Sequence, residues 1–186
     1  MNIGIDIDGV MFDTESFLRC YADFFDMEIG GSGVVDNKAC RIQKRFDWLD
    51  SQIKDFIYKY AKEIQKNSPI MPGVVEVLNA LKEMGHRLIV ISARGSILDE
   101  ELPIAYECLK KLNVEFDEVC LNAINKLPVC KEQKIDVMID DADTNIISLS
   151  EGGIKCLYFR SVVGKDVIND NVVDVTNWAE VLRYFK

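Results

Sequence analysis

The first apolar positions of the chain form a short run, Asn2 to Asp6, that ends in a cluster of acids. Apolar residues without alternation over that length predict a strand buried on both faces. The rhythm then changes. Phe17, Leu18, Tyr21, Phe24 and Phe25 recur at helical spacing, and Ile53, Phe56, Ile57, Tyr60 and Ile64 repeat the pattern more strongly. Two amphipathic helices are expected there, with a glycine- and acid-rich loop at 27–37 between them.

From Pro72 onward, short apolar runs alternate with helical stripes. Val74, Val77, Leu78 and Leu81 mark a helix with Pro72 near its start and Gly85 as its stop, and Leu88-Ile89-Val90-Ile91 marks a strand. Pro103 is expected to open a helix carrying Ala105, Leu109 and Leu112, followed by a short strand over 118–121 and a helix over 127–133. Val137-Met138-Ile139, Ile154 to Phe159 and Val172-Val173 supply further strands, and helices are expected over 143–151 and from Trp178 to Tyr184. Strands alternating with helices predict an α/β fold, a Rossmann-like parallel sheet with helices on both faces. Residues 14–68 interrupt it with helices and no strand, which predicts a small helical cap inserted after the first strand. The expected domains are a core of residues 1–13 plus 69–186 and a cap of residues 14–68.

Composition narrows the function. The 186 residues suit one domain, or a core with an insertion, and need no staples to bury a sufficient core. Lysine and arginine total 22 against 31 acids, a net charge of −9, so a nucleic-acid polymer is not the expected partner. No apolar run approaches the roughly 18 residues of a membrane span. The first residues lack the basic and apolar regions of a signal peptide, so a cytoplasmic protein that keeps its six cysteines reduced is expected. His86, the single histidine, sits in the turn Met84-Gly85-His86-Arg87. One histidine excludes two-histidine zinc sites and leaves acid–base chemistry to carboxylates, Lys, Cys or Tyr.

Ligands of open α/β sheets bind beyond the carboxyl ends of the strands. Asp6-Ile7-Asp8-Gly9-Val10 follows the first strand and Ser92-Ala93-Arg94 the second; Asn125-Lys126 precedes the fourth, which ends in Asp140-Asp141. Four acids, a hydroxyl and one or two cations thus converge on one edge. Crowded acids repel unless a cation neutralises them, and few hard oxygen ligands per ion suit Mg²⁺. A carboxylate placed there can attack phosphorus. A second one two residues along can protonate the leaving oxygen, while the hydroxyl and lysine hold phosphoryl oxygens. Each piece alone has a plainer reading: Asp-x-Asp-Gly as a turn, Asp140-Asp141 as a helix cap, Ser92 as a turn former, Lys126 as a surface charge. Only their convergence points to chemistry.

Ile3 to Val10, Ile89-Val90-Ile91-Ser92, Lys126 and Val137 to Asp141 resemble the four motifs of the haloacid dehalogenase (HAD) superfamily, and the resemblance spans the chain. Pro72-Gly73-Val74 with Gly85 to Arg94 is similar, more narrowly, to the cytosolic 5′(3′)-deoxyribonucleotidase-like family. The resemblance implies a Mg²⁺-dependent phosphatase with Asp6 as nucleophile and Asp8 as general acid and base. It implies metal ligation by Asp6, the Asp8 carbonyl and the pair Asp140/Asp141, with Asp141 favoured as the direct ligand. Phosphate binding falls to Ser92, Ala93, Arg94 and Lys126, with Lys131 and Lys134 as rival lysines. Nucleotidases of that family carry a base-stacking aromatic eight residues after the nucleophile; here that position is Thr14. Phe17, Phe46 and Trp48 are the substitutes expected from the cap. A small phosphorylated substrate, a nucleoside monophosphate above all, is the expected partner. The alternatives are a non-nucleotide phosphorylated metabolite, or a phospho-acceptor signalling module, against which the insertion and the second acid argue. A nucleotide-binding switch is disfavoured because no G-x-x-x-x-G-K-[ST] occurs.

Overall fold

The computed structural model describes residues 1–160 and 164–186; residues 161–163, inside the expected core, lie outside the described residues. Its strands are β1 (Asn2–Ile5), β2 (Arg87–Ile91), β3 (Glu118–Cys120), β4 (Val137–Asp140), β5 (Lys155–Phe159) and β6 (Val172–Val175). Its helices are α1 (Thr14–Glu28), α2 (Ile42–Arg45), α3 (Asp50–Asn67), α4 (Val74–Glu83), α5 (Glu101–Lys111), α6 (Lys126–Glu132), α7 (Asp143–Glu151) and α8 (Trp178–Phe185). The strands form one sheet in the order β3-β2-β1-β4-β5-β6, parallel throughout.

The unbroken apolar runs become strands because both faces of the sheet are covered. Side chains alternate along a strand, so Ile3, Ile5, Leu88, Val90, Val137 and Ile139 enter one core. Ile89, Ile91, Met138, Cys156 and Tyr158 enter the other. α4, α5 and α8 cover the first through Leu78, Leu81, Ala105, Trp178 and Val181. α6 and α7 cover the second through Cys130, Ile146 and Leu149. A one-residue slip of any strand would exchange its two faces, so the register is strongly set. Ile5 lies beside Val90 on one side and Ile139 on the other. That register carries Asp6 and Asp140 to the same edge. The chain leaves β1 toward β2 and β3, then returns to β4 on the other side, and a crevice opens where this order reverses.

The helical segment between β1 and α4 has an apolar cluster of its own, with Phe25, Phe46, Trp48, Ile53 and Phe56 at its centre. Several details differ from the sequence pattern. α1 runs to Glu28, two residues into the expected loop. Pro103 is the third residue of α5, not its first, which is tolerated because the N–H groups of a first turn have no intrahelical acceptor. α2 is four residues long, too short for a period to reveal. All six cysteines are free thiols, and no described helix is long and apolar enough to cross a membrane.

Candidate active site

Asp6 is the first residue beyond β1, and its N–H still donates to the Ile139 carbonyl of β4 at 3.0 Å. The ladder therefore continues far enough to fix the backbone of Asp6 beside the end of β4. Lys126, at the start of α6, reaches into this corner. Its Nζ lies 2.8 Å from Asp6 Oδ2 and 2.6 Å from Asp140 Oδ2. Asp140 is wholly buried and fully engaged: the Ala142 N–H donates to Oδ1 at 2.9 Å, and Asn145 Nδ2 lies 3.1 Å from each of its oxygens. The rival lysines Lys131 and Lys134 are exposed.

Asp141 has no ion pair among the described residues. Gly9, at φ +72°, lets the turn after β1 approach it; a Cβ there would sit 2.0 Å from Asp141 Oδ2. Asp6, Asp140 and Asp141 offer carboxylate oxygens within 4.8 Å of one another. Burial pushes the Asp6 carboxyl up to about 6, with Lys126 pulling against it and Asp140 and Asp8 adding to it. Burial, then the charges of Asp140 and Asp6, also hold Asp141 well above the usual carboxylate range. Lys126 is held protonated because these acids outweigh its own burial. Three carboxylates facing one ammonium, all with hard oxygen donors, fit a divalent cation such as Mg²⁺.

Arg94 departs from the sequence expectation. Instead of pointing at the Asp6 corner as a free phosphate ligand, its Nε and Nη2 grip the two oxygens of Asp8 at 2.9 and 2.7 Å. Arg94 is 3% exposed, and a planar fork buried that deeply takes the nearest carboxylate in bidentate fashion. Ser92 is buried behind the same turn, where its Oγ accepts the Arg94 N–H at 3.3 Å, while Ala93 is exposed. Ser92, Arg94 and Lys126 are thus brought to one edge with Asp6 and Asp8.

A cavity of about 350 Å³ opens above this edge, with Asp6, Asp8 and Asp141 at one end. Thr14 lies in its wall and accepts the Gly9 N–H at 3.0 Å, so it braces the turn. Phe17, Phe46 and Trp48, expected to face a substrate, are not part of that wall. Trp48 donates Nε1–H to Asp26 at 2.7 Å, stacks on Phe46 at 4.4 Å and meets the edge of Phe25 at 5.0 Å. Its polar tip is bonded and its ring is packed by Phe46, Phe25 and Phe56, so the helical segment needs it as core. Phe17 packs against the same cluster, beside Tyr21. The aromatic that does line the cavity is Phe56, with Ile57, Ala61 and Gln65 further along α3 and Glu101 from α5. Only the strong apolar stripe of α3 hinted at Phe56, and a stripe does not say which member faces a cavity. Cys40 is also in the wall, but burial raises its thiol to about 11, unlike a nucleophile.

No family model matches the chain. It is 28% identical to YqfW of Bacillus subtilis, named as a candidate nucleotidase, over 99% of this chain and 93% of that protein. It is 25% identical to a protein of Clostridium acetobutylicum named a nucleotidase, over 97% and 91% of the two chains. A haloacid dehalogenase-like family hydrolase from Streptococcus pneumoniae superposes with a TM-score of 0.72 at 16% identity, covering 100% of this chain and 98% of that one. In fold, the chain is similar to haloacid dehalogenase-like hydrolases.

Proposed function

We propose that the chain is a Mg²⁺-dependent phosphomonoesterase that works through an aspartyl-phosphate on Asp6, and that its substrates are nucleoside monophosphates. The observation that carries this reading is Asp6 itself, a buried carboxylate between Lys126 and two further acids at the end of a cavity. Asp6, Asp141 and the main-chain carbonyl of Asp8 would hold the cation, which when bound offsets the charge of the acids and of the phosphoryl oxygens. Asp140 stands behind, since Lys126, Asn145 and the Ala142 N–H already use its oxygens.

The Asp6 carboxylate attacks phosphorus, and the ester oxygen departs with a proton from Asp8. Asp8 then takes a proton from the water that attacks the aspartyl-phosphate, which releases phosphate and restores Asp6. Lys126 and Ser92 hold phosphoryl oxygens through both steps. Residues 14–68 serve as a cap domain over the core of 1–13 and 69–186 and keep bulk water from the intermediate.

Two relatives carry nucleotidase names, and the cavity presents Phe56 and aliphatic side chains to whatever the phosphate bears. The narrower likeness to the deoxyribonucleotidase-like family rests on residues 72–94 alone. Phosphate release from a panel of phosphorylated metabolites tests the reading, with hydroxylamine trapping of the acyl phosphate alongside. Nucleoside monophosphates should lead the panel, and Asp6→Asn should give no trappable adduct. Full activity in excess chelator would sink the metal, and faster cleavage of sugar phosphates than of every nucleotide would sink the substrate.

A further inference from the structure

One polar group in the cavity wall has no part in the chemistry above. Gln65 lies near the end of α3, and its main-chain carbonyl accepts the Cys108 thiol at 3.2 Å, which ties that turn to α5. Its side chain has no such anchor. Gln65 Oε1 is buried and finds no hydrogen-bond partner among the described residues. Its polar neighbours in the wall are engaged: Thr14 with the Gly9 N–H, Glu15 with Arg19 and Arg45, and Glu101 with the Gly95 N–H at 2.9 Å.

Buried amide groups in native proteins are nearly always paired, so an orphan oxygen just behind the wall of a ligand cavity gains by turning outward to a partner that enters with the ligand. The last torsion of a glutamine is soft, and a half turn exchanges its oxygen and nitrogen. Either end can therefore be offered to the cavity. Ile57, Ala61 and Ile64 share the helix face that carries Gln65 and line the same cavity, so an aliphatic surface lies beside the amide. No lysine or arginine among the described residues lines the cavity, and Glu101 does. A second anionic group on the leaving alcohol would meet a carboxylate and no cation.

We propose that Gln65 is a specificity-determining residue. It accepts a hydrogen bond from a ring or exocyclic N–H of the leaving group, so the preferred monoesters carry a flat, uncharged heterocycle with such a donor. This deepens the nucleoside monophosphate reading and rests on it.

Matched nucleotides with and without the donor test it: adenosine against purine riboside 5′-monophosphate, and uridine against N3-methyluridine 5′-monophosphate. In the wild-type protein, at least one pair should show a KM gap of about tenfold in favour of the donor, the scale of one lost hydrogen bond. In Gln65→Met the gap should close to within about twofold, with KM for p-nitrophenyl phosphate unchanged. A thermal melt shows whether that variant is folded, and Gln65→Leu replaces it if it is not. No gap in any wild-type pair, or a gap that persists in the folded variant, overturns the role of Gln65 while nucleotides remain the best substrates. Poor turnover of every nucleotide beside rapid turnover of another monoester overturns the substrate reading itself, and Gln65 with it.

Discussion

The sheet edge and the helical segment 14–68 line the same cavity but are built on opposite terms. At the edge, like charges are gathered where they destabilise one another: three carboxylates place oxygens within 4.8 Å of one another, and Asp6 and Asp141 are pushed up by burial and by neighbouring acids. In the helical segment the aromatic cluster is satisfied. Trp48 has its hydrogen bond and its stacking partner, and Phe25 and Phe56 pack against its ring. One region is held in place by its neighbours so that it can remain unsatisfied, and the other supplies packing. Chemistry therefore concentrates at the edge, and substitutions in the two regions should fail in different ways.

The largest separation is expected from the nucleophile. Asp6→Asn keeps the shape and removes the attacking charge, so turnover should fall by several orders of magnitude while the circular dichroism spectrum is retained. Near-normal turnover of Asp6→Asn would end the covalent mechanism. Asp8→Asn should cost roughly 10²–10⁴-fold, the range of a lost general acid or base. A leaving group as good as p-nitrophenolate needs little protonation, so the deficit should be smallest for the aryl phosphate. An equal deficit for alkyl and aryl phosphates would mean that Asp8 serves Arg94 and the fold instead.

The opposite profile belongs to Trp48. Trp48→Ala removes the centre of the aromatic cluster, and deletions of this kind cost about 3–5 kcal/mol of stability. Below the melting transition, KM for a nucleotide should change little, because the ring faces Asp26, Phe46 and Phe25 and not the cavity. A large rise in KM with an unchanged melting temperature would put Trp48 back at the substrate.

The same contrast explains what the sequence could reveal. Asp6, Ser92, Lys126 and Asp140 stand at or next to the ends of strands or at the start of a helix after a strand, and strand order with register places such residues on one edge before any side chain is packed. Arg94 lies two residues further on, where the turn decides its direction, and its grip on Asp8 did not show in the sequence. The helical segment was readable as helices, because period 3.6 survives in Ile53, Phe56, Ile57, Tyr60 and Ile64. Which of those side chains faces the cavity depends on how three helices rotate against one another, and that rotation is set by packing. Hence Trp48 looked available as a stacking face, and Phe56 and Gln65 gave no signal of their own.

The smallest effect tests whether the edge is as unsatisfied as its geometry says. Asp6 has an ordinary carboxyl value of 3.8 and a folded value of about 6. Between those values the native state binds more protons than the unfolded one, so the stability of the metal-free protein should fall as pH rises through that window. Asp141 is displaced in the same direction. Magnesium requires both groups ionised and displaces their protons, so its stabilisation should be present above about pH 6 and fade below it. At pH 8, magnesium at a hundred times its dissociation constant should add about 2.7 kcal/mol, which for a chain of this size raises the melting temperature by roughly 5–10 °C. At pH 5 the shift should shrink to a small fraction of that. Asp141→Asn removes a half-buried charge that has no ion-pair partner among the described residues, so without metal it should melt somewhat higher than the wild type and respond little to magnesium. Thermal melts of both proteins, with and without magnesium at the two pH values, read all of this directly. An equal magnesium shift at pH 5 and pH 8, or a metal-free Asp141→Asn that melts lower than the wild type, would mean that the acids at the edge are balanced by protein groups and do not await a cation.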